Sequence, residues 1–129
     1  MARILIVEDN PDNLKLFRAL LTLKGHEVTA LQSGEGLIEA LDHTRPHLVL
    51  MDIQLPGKDG FALLAELRNS AHAASRVVAL TAHAMSGDRD RALAAGFDGY
   101  ITKPIDIARF PDQVTRALAG AHTDSTEAP

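Results

Sequence analysis

The stretch HLVLMDIQLPGKDG, residues 47–60, decides the fold class of this chain. Residues 48–52 form an apolar run that ends on the carboxylate of Asp52, and the chain then breaks at Pro56 and Gly57. A strand without polar alternation is typical of a parallel sheet that is buried on both faces. The stretch therefore predicts a central parallel strand that delivers an acid to its own carboxyl end.

Strand-like and helix-like segments alternate along the rest of the chain. Predicted strands cover residues 3–7, 27–31, 48–52, 76–82 and 99–102, and predicted helices cover about 11–24, 33–44, 60–69, 87–95 and 107–118. Right-handed crossovers place such helices on both faces of the sheet. The pattern predicts an α/β fold, a doubly wound five-stranded parallel sheet (βα)5 of flavodoxin-like type. For the strand order we adopt 2-1-3-4-5, which is common in this class.

The sequence makes specific predictions for how the second and the last helix begin. Ser33 can cap the second helix, although Gly34 and Gly36 weaken its first turn. Pro111 falls early in the last helix, where its ring removes a hydrogen bond and crowds the residue four positions back. We therefore expect a distorted or late-starting last helix near Arg109 to Pro111.

Composition excludes several classes of protein. The 129 residues suit one domain, and we expect a globular domain over residues 1–119 and a flexible tail over 120–129. Without cysteine there is no disulfide or thiolate chemistry. The net charge of −4 and the lack of a basic run argue against a nucleic-acid partner. No apolar run approaches the ~20 residues of a membrane helix, and a signal-peptide pattern is missing, so we expect a cytoplasmic protein with no membrane partner.

Carboxylates follow the two strands that should flank the switch point of the sheet. Glu8 and Asp9 follow the first strand, and Asp52 ends the third. Ligands of such sheets bind beyond the carboxyl ends of the strands at this point, so we expect the three acids to meet. At ~5 Å and an effective dielectric of ~20, each pair repels by roughly 3 kcal/mol, which protonation or a cation must relieve. Oxygen ligands without cysteine or adjacent histidine favour Mg²⁺.

Two further polar residues end neighbouring strands. Thr81 lies at the end of the fourth strand and offers a hydroxyl donor, and Lys103 follows the fifth strand and offers a second cation. The chain has neither a GxxxxGK[ST] loop nor a GxGxxG loop, so a nucleotide cradle is not indicated. A carboxylate can itself act as nucleophile and carry an aspartyl phosphate. A metal site formed by these three acids, with the lysine and the threonine beside it, indicates a binding site for a phosphoryl group.

At these residues the sequence strongly resembles the receiver domain of two-component response regulators. The matching pieces are ILIVEDN (4–10), LVLMDIQLPGKDG (48–60) and ALTAHAMSGDRDRALAAGFDGYITKPID (79–106). The resemblance implies that Asp52 accepts phosphate from a phosphohistidine of a histidine kinase or a histidine phosphotransfer protein. It also implies that the chain is not an enzyme, beyond catalysing its own phosphorylation and slow dephosphorylation.

The resemblance implies a set of metal ligands and an output surface. Asp9 would ligate Mg²⁺ directly beside Asp52, Glu8 would do so through water, and the main-chain carbonyl of Gln54 would be a further ligand. The face formed by helix 4, strand 5 and helix 5 would bind a downstream protein effector.

The resemblance also implies which residues hold the phosphoryl group and respond to it. Lys103, the Thr81 hydroxyl and the Ala82 amide would contact the phosphoryl oxygens. Tyr100 would turn inward as Thr81 moves. The Lys103–Pro104 bond would be cis, since X–Pro is the one bond where that conformation is cheap.

Other assignments rest on position alone. His83 follows the fourth strand closely, and we interpret it as lining the mouth of the site and influencing hydrolysis. The apolar residues of the first helix fall on two arcs, Leu14, Phe17 and Leu21 on one and Leu16, Leu20 and Leu23 on the other. Either the second arc packs partly on the last helix, or Leu16 and Leu20, with Pro104, form a docking surface for a four-helix phosphotransfer partner.

Three functions stay open at this point, whereas a fourth, a flavodoxin-like cofactor carrier, would need a phosphate loop or a stacking Trp that the sequence lacks. The first is a phosphorylation-controlled binding module, and the second is a relay intermediate that passes its phosphate to another histidine protein. The third is a metal-dependent phosphohydrolase of small molecules, which would need a second general acid/base that the sequence does not clearly show. Since no output domain follows in the sequence, we expect a stand-alone receiver, although a receiver of a hybrid histidine kinase matches equally well.

Overall fold

The computed structural model describes residues 2–55, 57, 59–81 and 87–120, without the side chains of residues 88 and 89. Strands and helices alternate strictly over these residues. The strands are β1 (Arg3–Val7), β2 (Glu27–Leu31), β3 (Leu48–Asp52), β4 (Val77–Thr81) and β5 (Gly99–Thr102). The helices are α1 (Pro11–Leu23), α2 (Leu37–Thr44), α3 (Gly60–Arg68), α4 (Asp88–Ala95) and α5 (Phe110–Leu118).

All five strands run parallel in one sheet with the order β2-β1-β3-β4-β5. The predicted doubly wound α/β fold and its strand order are confirmed. β1 and β3 are direct neighbours, with Val7 opposite Met51 in the register. The connections leave β1 and β3 toward opposite edges of the sheet, so a switch point lies between their carboxyl ends.

The sheet separates two apolar layers. Helices α2, α3 and α4 cover one face with α2 residues such as Leu41 and α3 residues such as Leu64. Helices α1 and α5 cover the other face, where the rings of Phe17 and Phe110 stack with centroids 5.2 Å apart. Every residue of β3 is buried, as its unbroken apolar run predicts. Burial of each large apolar side chain contributes about 1.5–3 kcal/mol, so these layers hold β3 firmly in the centre.

Helices α2 and α5 each begin several residues later than the first residue of the predicted helix. The expectation that Ser33 caps α2 is wrong, because α2 begins at Leu37 and Gly36 occupies its N-cap position. Gly36 has a φ of 80°, which interrupts a helix, and the Ser33 hydroxyl instead accepts a local hydrogen bond from the Glu35 N–H. The expected late start of α5 is confirmed, since α5 begins at Phe110 with Pro111 in its first turn.

Helix α1 buries one of its two apolar arcs. Leu14, Phe17 and Leu21 are buried against the sheet. On the second arc, Leu20 packs partly against the layer that α1 and α5 share, which fits the packing alternative. Leu23 is 83% exposed, so the packing alternative is wrong for this residue.

The proposed boundary between domain and tail stays a prediction, because residues 121–129 lie outside the described residues. Among the helices of the described residues, none combines the length and the apolar character that crossing a bilayer requires.

Candidate functional site

Three carboxylates meet beyond the carboxyl ends of β1 and β3. Glu8, Asp9 and Asp52 each offer one carboxylate oxygen, and these oxygens lie within 4.8 Å of one another. Glu8 and Asp52 are 0% and 2% exposed, whereas Asp9 is exposed to solvent. The structure therefore brings together the three acids that the sequence analysis placed at the switch point.

The backbone after β3 is held close to helix α3. The Gly60 N–H donates to the Ile53 carbonyl oxygen, at 3.1 Å. A Cβ at Gly60 would lie 2.6 Å from the Asp52 carbonyl oxygen and 2.6 Å from the Ile53 Cα, so only glycine fits this approach. The Asp59 carboxylate caps α3 by accepting from the Ala62 N–H. Asp52 is thus fixed by its own strand and by the start of the following helix.

Both buried acids accept a hydrogen bond from the backbone two residues further along. The Asn10 N–H donates to Glu8 Oε2 at 3.1 Å, and the Gln54 N–H donates to Asp52 Oδ1 at 2.8 Å. Such bonds favour the charged form of a carboxylate and fix its orientation. One oxygen of each acid is therefore already engaged by its own chain.

Lys103 supplies the cation of the site. Its Nζ lies 2.9 Å from Asp52 Oδ2 and 3.1 Å from Glu8 Oε1. The Lys103 backbone N–H donates to the Thr81 carbonyl oxygen at 2.7 Å, which ties the end of β5 to the end of β4. The Lys103–Pro104 bond is cis, as the resemblance implies.

Burial and charge act in opposite directions on these groups. Burial lowers the pKa of Lys103, but its hydrogen bonds and charge interactions with Asp52 and Glu8 outweigh this effect and raise the pKa above its usual value. Burial raises the pKa of Glu8, the Asn10 N–H opposes this, and the nearby charge of Asp52 adds to it. The lysine thus stays charged, while the ionised form of Glu8 is costly.

The donor set fits a divalent hard cation. Three carboxylates and one ammonium leave a formal charge of −2, and the ligand atoms that this cluster offers among the described residues are carboxylate oxygens. Mg²⁺ is bound in proteins by one or two carboxylates, with water and phosphate oxygens completing its shell. Glu8, Asp9 and Asp52 are the residues that could hold it, and Gln54 follows Asp52 closely enough to add its carbonyl.

The residues expected to contact and sense the phosphoryl group lie on β4 and β5. Thr81 is buried at the carboxyl end of β4, in register with Thr102. Tyr100 is fully buried in β5. Ala82 and His83 lie outside the described residues, so their expected contacts stay predictions.

A groove adjoins the acid cluster between α1 and the segment after β5. It has a volume of about 380 Å³, and its lining residues are Asn13, Leu16, Phe17, Lys103, Pro104, Ile105 and Ile107. Two of the three proposed docking residues, Leu16 and Pro104, therefore face one groove, whereas Leu20 is not part of its lining. Asn13 was not predicted to lie here, although its position three residues before Leu16 on a helix places both side chains on one side.

A family model described as the response regulator receiver domain matches residues 4–115 of this chain. The polar-differentiation response regulator DivK of Brucella ovis is 41% identical over 122 residues, which cover 92% of this chain and 97% of that protein.

Solved structures agree with this match. The chain is similar to the receiver domain of the sensor histidine kinase PA1611 from Pseudomonas aeruginosa, which has a magnesium ion coordinated in its active site cleft. That match has 34% identity, a TM-score of 0.82, and coverage of 92% of this chain and 98% of that one. A two-component response regulator of the LuxR family from Aurantimonas is 31% identical with a TM-score of 0.85, covering 95% of this chain and 88% of that one. This chain therefore belongs to the receiver domain family of two-component response regulators.

Proposed function

We propose that this receiver accepts a phosphoryl group on Asp52 from a phosphohistidine of a histidine kinase or a histidine phosphotransfer protein. The observation that carries the proposal is the environment of Asp52, a buried acid 2.9 Å from the Lys103 ammonium and within 4.8 Å of two other carboxylates. A carboxylate in this setting can act as a nucleophile, and the Lys103 ammonium beside it can stabilise charge on the transferred group. In the transfer, an Asp52 oxygen forms the bond to phosphorus, the phosphorus–nitrogen bond breaks, and the imidazole leaves.

Mg²⁺ is the cofactor of this proposal, with Asp9, Asp52 and the Gln54 carbonyl as ligands. When bound, the ion would neutralise charge that develops on the phosphoryl oxygens. Glu8 differs from Asp9, because its Oε1 contacts Lys103 and its Oε2 contacts the Asn10 N–H. In this proposal Glu8 keeps both of these partners and contacts the ion through water.

In this proposal Lys103 and Thr81 contact the transferred phosphoryl group. Lys103 holds the acceptor carboxylate before transfer and pairs with the phosphoryl group afterwards. The Thr81 hydroxyl and the Ala82 amide donate to phosphoryl oxygens, and Tyr100 changes its position when Thr81 moves. His83 modulates hydrolysis. The result is a changed preference of the α4–β5–α5 face for a downstream protein effector.

The donor protein docks on the groove beside the acid cluster. Leu16 and Pro104 line this groove together with Lys103, which contacts the acceptor acid directly. Leu20 extends the apolar surface along α1. A four-helix phosphotransfer protein placed here would bring its histidine to Asp52. The family assignment does not favour the alternatives of a relay intermediate or a phosphohydrolase, and a cytoplasmic location stays part of the proposal.

Intact mass spectrometry after incubation with a small phosphodonor and Mg²⁺ tests this function. We expect the parent protein to gain one phosphoryl group, and the gain to disappear in Asp52→Asn and on removal of Mg²⁺ with a chelator. Asp59→Asn is the matched control, since Asp59 is an exposed acid on the same loop that caps α3. Equal labelling of the parent and the Asp52→Asn variant would contradict the proposal.

A further inference from the structure

Glu8 and Asp52 are each oriented by a backbone N–H two residues further along the chain. Different contacts fix the position of the two loops that carry these N–H groups. On the β3 side, the loop with Gln54 is braced by the close approach of Gly60 to Asp52. On the β1 side, only Asp9 and Asn10 separate Glu8 from the first residue of α1. The position of the N–H that holds Glu8 therefore depends on how the start of α1 is fixed.

Asn10 fixes that start through its side chain. Its Oδ1 accepts from the Asp12 N–H at 2.9 Å and from the Asn13 N–H at 3.2 Å. Pro11, the first helical residue, has no N–H to satisfy. Asn10 itself is extended, with φ −83° and ψ 115°, and its own N–H points back to Glu8 Oε2. One residue thus caps the helix with its side chain and holds the acid with its backbone.

The helix that Asn10 caps is itself anchored in the core. The Asn10 carbonyl oxygen accepts from the Leu14 N–H at 3.0 Å, and Leu14 and Phe17 are buried against the sheet. The cap therefore joins the Glu8 loop to a rigid element. Without the cap, the chain between Glu8 and α1 loses the two hydrogen bonds from the Asp12 and Asn13 N–H groups that fix its conformation.

We propose that Asn10 is a positioning residue of the cation site, which holds Glu8 at the distance from Asp9 and Asp52 that the ion requires. This inference rests on the proposed Mg²⁺ site. Outer-shell partners of a metal site, as Glu8 is here, typically account for about 10–100-fold in metal affinity. We expect Asn10→Ala to weaken Mg²⁺ binding by about 10-fold, at the lower end of that range, because Lys103 still contacts Glu8.

Isothermal titration calorimetry with Mg²⁺ alone compares Asn10→Ala with Asn10→Ser. Serine also caps helices, so Asn10→Ser should bind near the parent value while Asn10→Ala loses affinity. Ile38→Ala is the control for general destabilisation, since Ile38 is a partly buried residue of α2. It should leave Mg²⁺ affinity unchanged.

Amide hydrogen exchange gives a second readout that does not depend on the metal. Without Mg²⁺, the amide of residue 10 should be protected in the parent and in Asn10→Ser, and should exchange faster in Asn10→Ala. Equal Mg²⁺ affinity of Asn10→Ala and the parent would overturn the inference, and so would equal weakening in Asn10→Ala and Ile38→Ala. A parent protein that does not bind Mg²⁺ would instead overturn the proposed function, and the inference with it.

Discussion

Replacing Lys103 with methionine should destabilise the protein strongly in the absence of divalent cations and only weakly in their presence. Lys103 is the cation that contacts both buried acids, at 2.9 Å from Asp52 and 3.1 Å from Glu8. Methionine keeps much of the apolar stem but removes the charge. The carboxylates then face each other without the Lys103 ammonium between them.

The size of the effect follows from the geometry of the acids. Two charges at the upper limit of the spacing between these carboxylate oxygens, 4.8 Å, repel by about 3 kcal/mol at an effective dielectric of ~20. Removing one partner of a buried ion pair typically costs about 3–5 kcal/mol, which agrees with this figure. We therefore expect Lys103→Met to lower the free energy of unfolding by about 3 kcal/mol at neutral pH without metal. Saturating Mg²⁺ should restore most of the loss, because the ion supplies positive charge to the same carboxylates.

Urea unfolding followed by far-ultraviolet circular dichroism measures both values, and an unchanged slope confirms that the unfolding transition is comparable. Lys15→Met is the matched control, since Lys15 is an exposed lysine of α1 that should tolerate the same substitution within about 0.5 kcal/mol. Equal stability of Lys103→Met and Lys15→Met without metal would refute this prediction. A difference between the two variants that Mg²⁺ leaves unchanged would refute it as well.

Three further predictions follow from the same structure. Gly60→Ala should cost about 1–3 kcal/mol in thermal denaturation and slow phosphorylation, because its Cβ would lie 2.6 Å from the Asp52 carbonyl oxygen; an unchanged melting temperature would refute this. Leu16→Glu should slow phosphotransfer from a histidine phosphotransfer protein without unfolding the domain, whereas Leu23→Glu, outside the groove, should not; equal rates would remove the docking proposal. Burial raises the pKa of Glu8 from 4.5, so its ionised form weakens the fold as the pH rises through the folded-state pKa. Glu8→Gln should therefore be more stable than the parent at pH 7 without metal, and this gain should disappear below about pH 4.5. Urea unfolding of both proteins across this pH range measures the gain. A difference in the free energy of unfolding that does not change with pH would contradict the prediction.

The central part of the fold and the meeting of the acids could be predicted because few physical rules decide them. A strand buried on both faces reads as a continuous apolar run, and residues 48–52 contain no other pattern. Once the strands are parallel and the connecting helices cover both faces of the sheet in this order, the carboxyl ends of β1 and β3 lie side by side. The positions of Glu8, Asp9 and Asp52 follow from that arrangement alone.

Local backbone conformations were harder to predict, since several residues near a helix start can serve as its cap. Ser33 has a side chain suited to capping, yet the left-handed conformation of Gly36 delays α2 to Leu37. At α1, both Asp9 and Asn10 precede Pro11 and have side chains suited to capping. The structure shows that Asn10 caps α1 and that its N–H orients Glu8, which no periodicity could indicate.

Surface packing was the other part that the sequence could not determine. Helical periodicity places Leu20 and Leu23 on the same side of α1, but it does not say how far a neighbouring element extends. Leu20 packs against its layer, whereas Leu23 lies at the end of the helix and is exposed. Ile105 and Ile107 line the groove from the segment after β5, whose course has no regular repeat from which to predict it.

A crystal structure determined with Mn²⁺, a hard cation with a measurable anomalous signal, tests the central claim most directly. We predict one anomalous peak at the carboxyl ends of β1 and β3, with carboxylate oxygens of Asp9 and Asp52 and the Gln54 carbonyl oxygen as its protein ligands. Glu8 should lie in the next shell, still bonded to the Asn10 N–H. A map with the ion bound elsewhere, or with the three carboxylates pointing apart, would contradict the account.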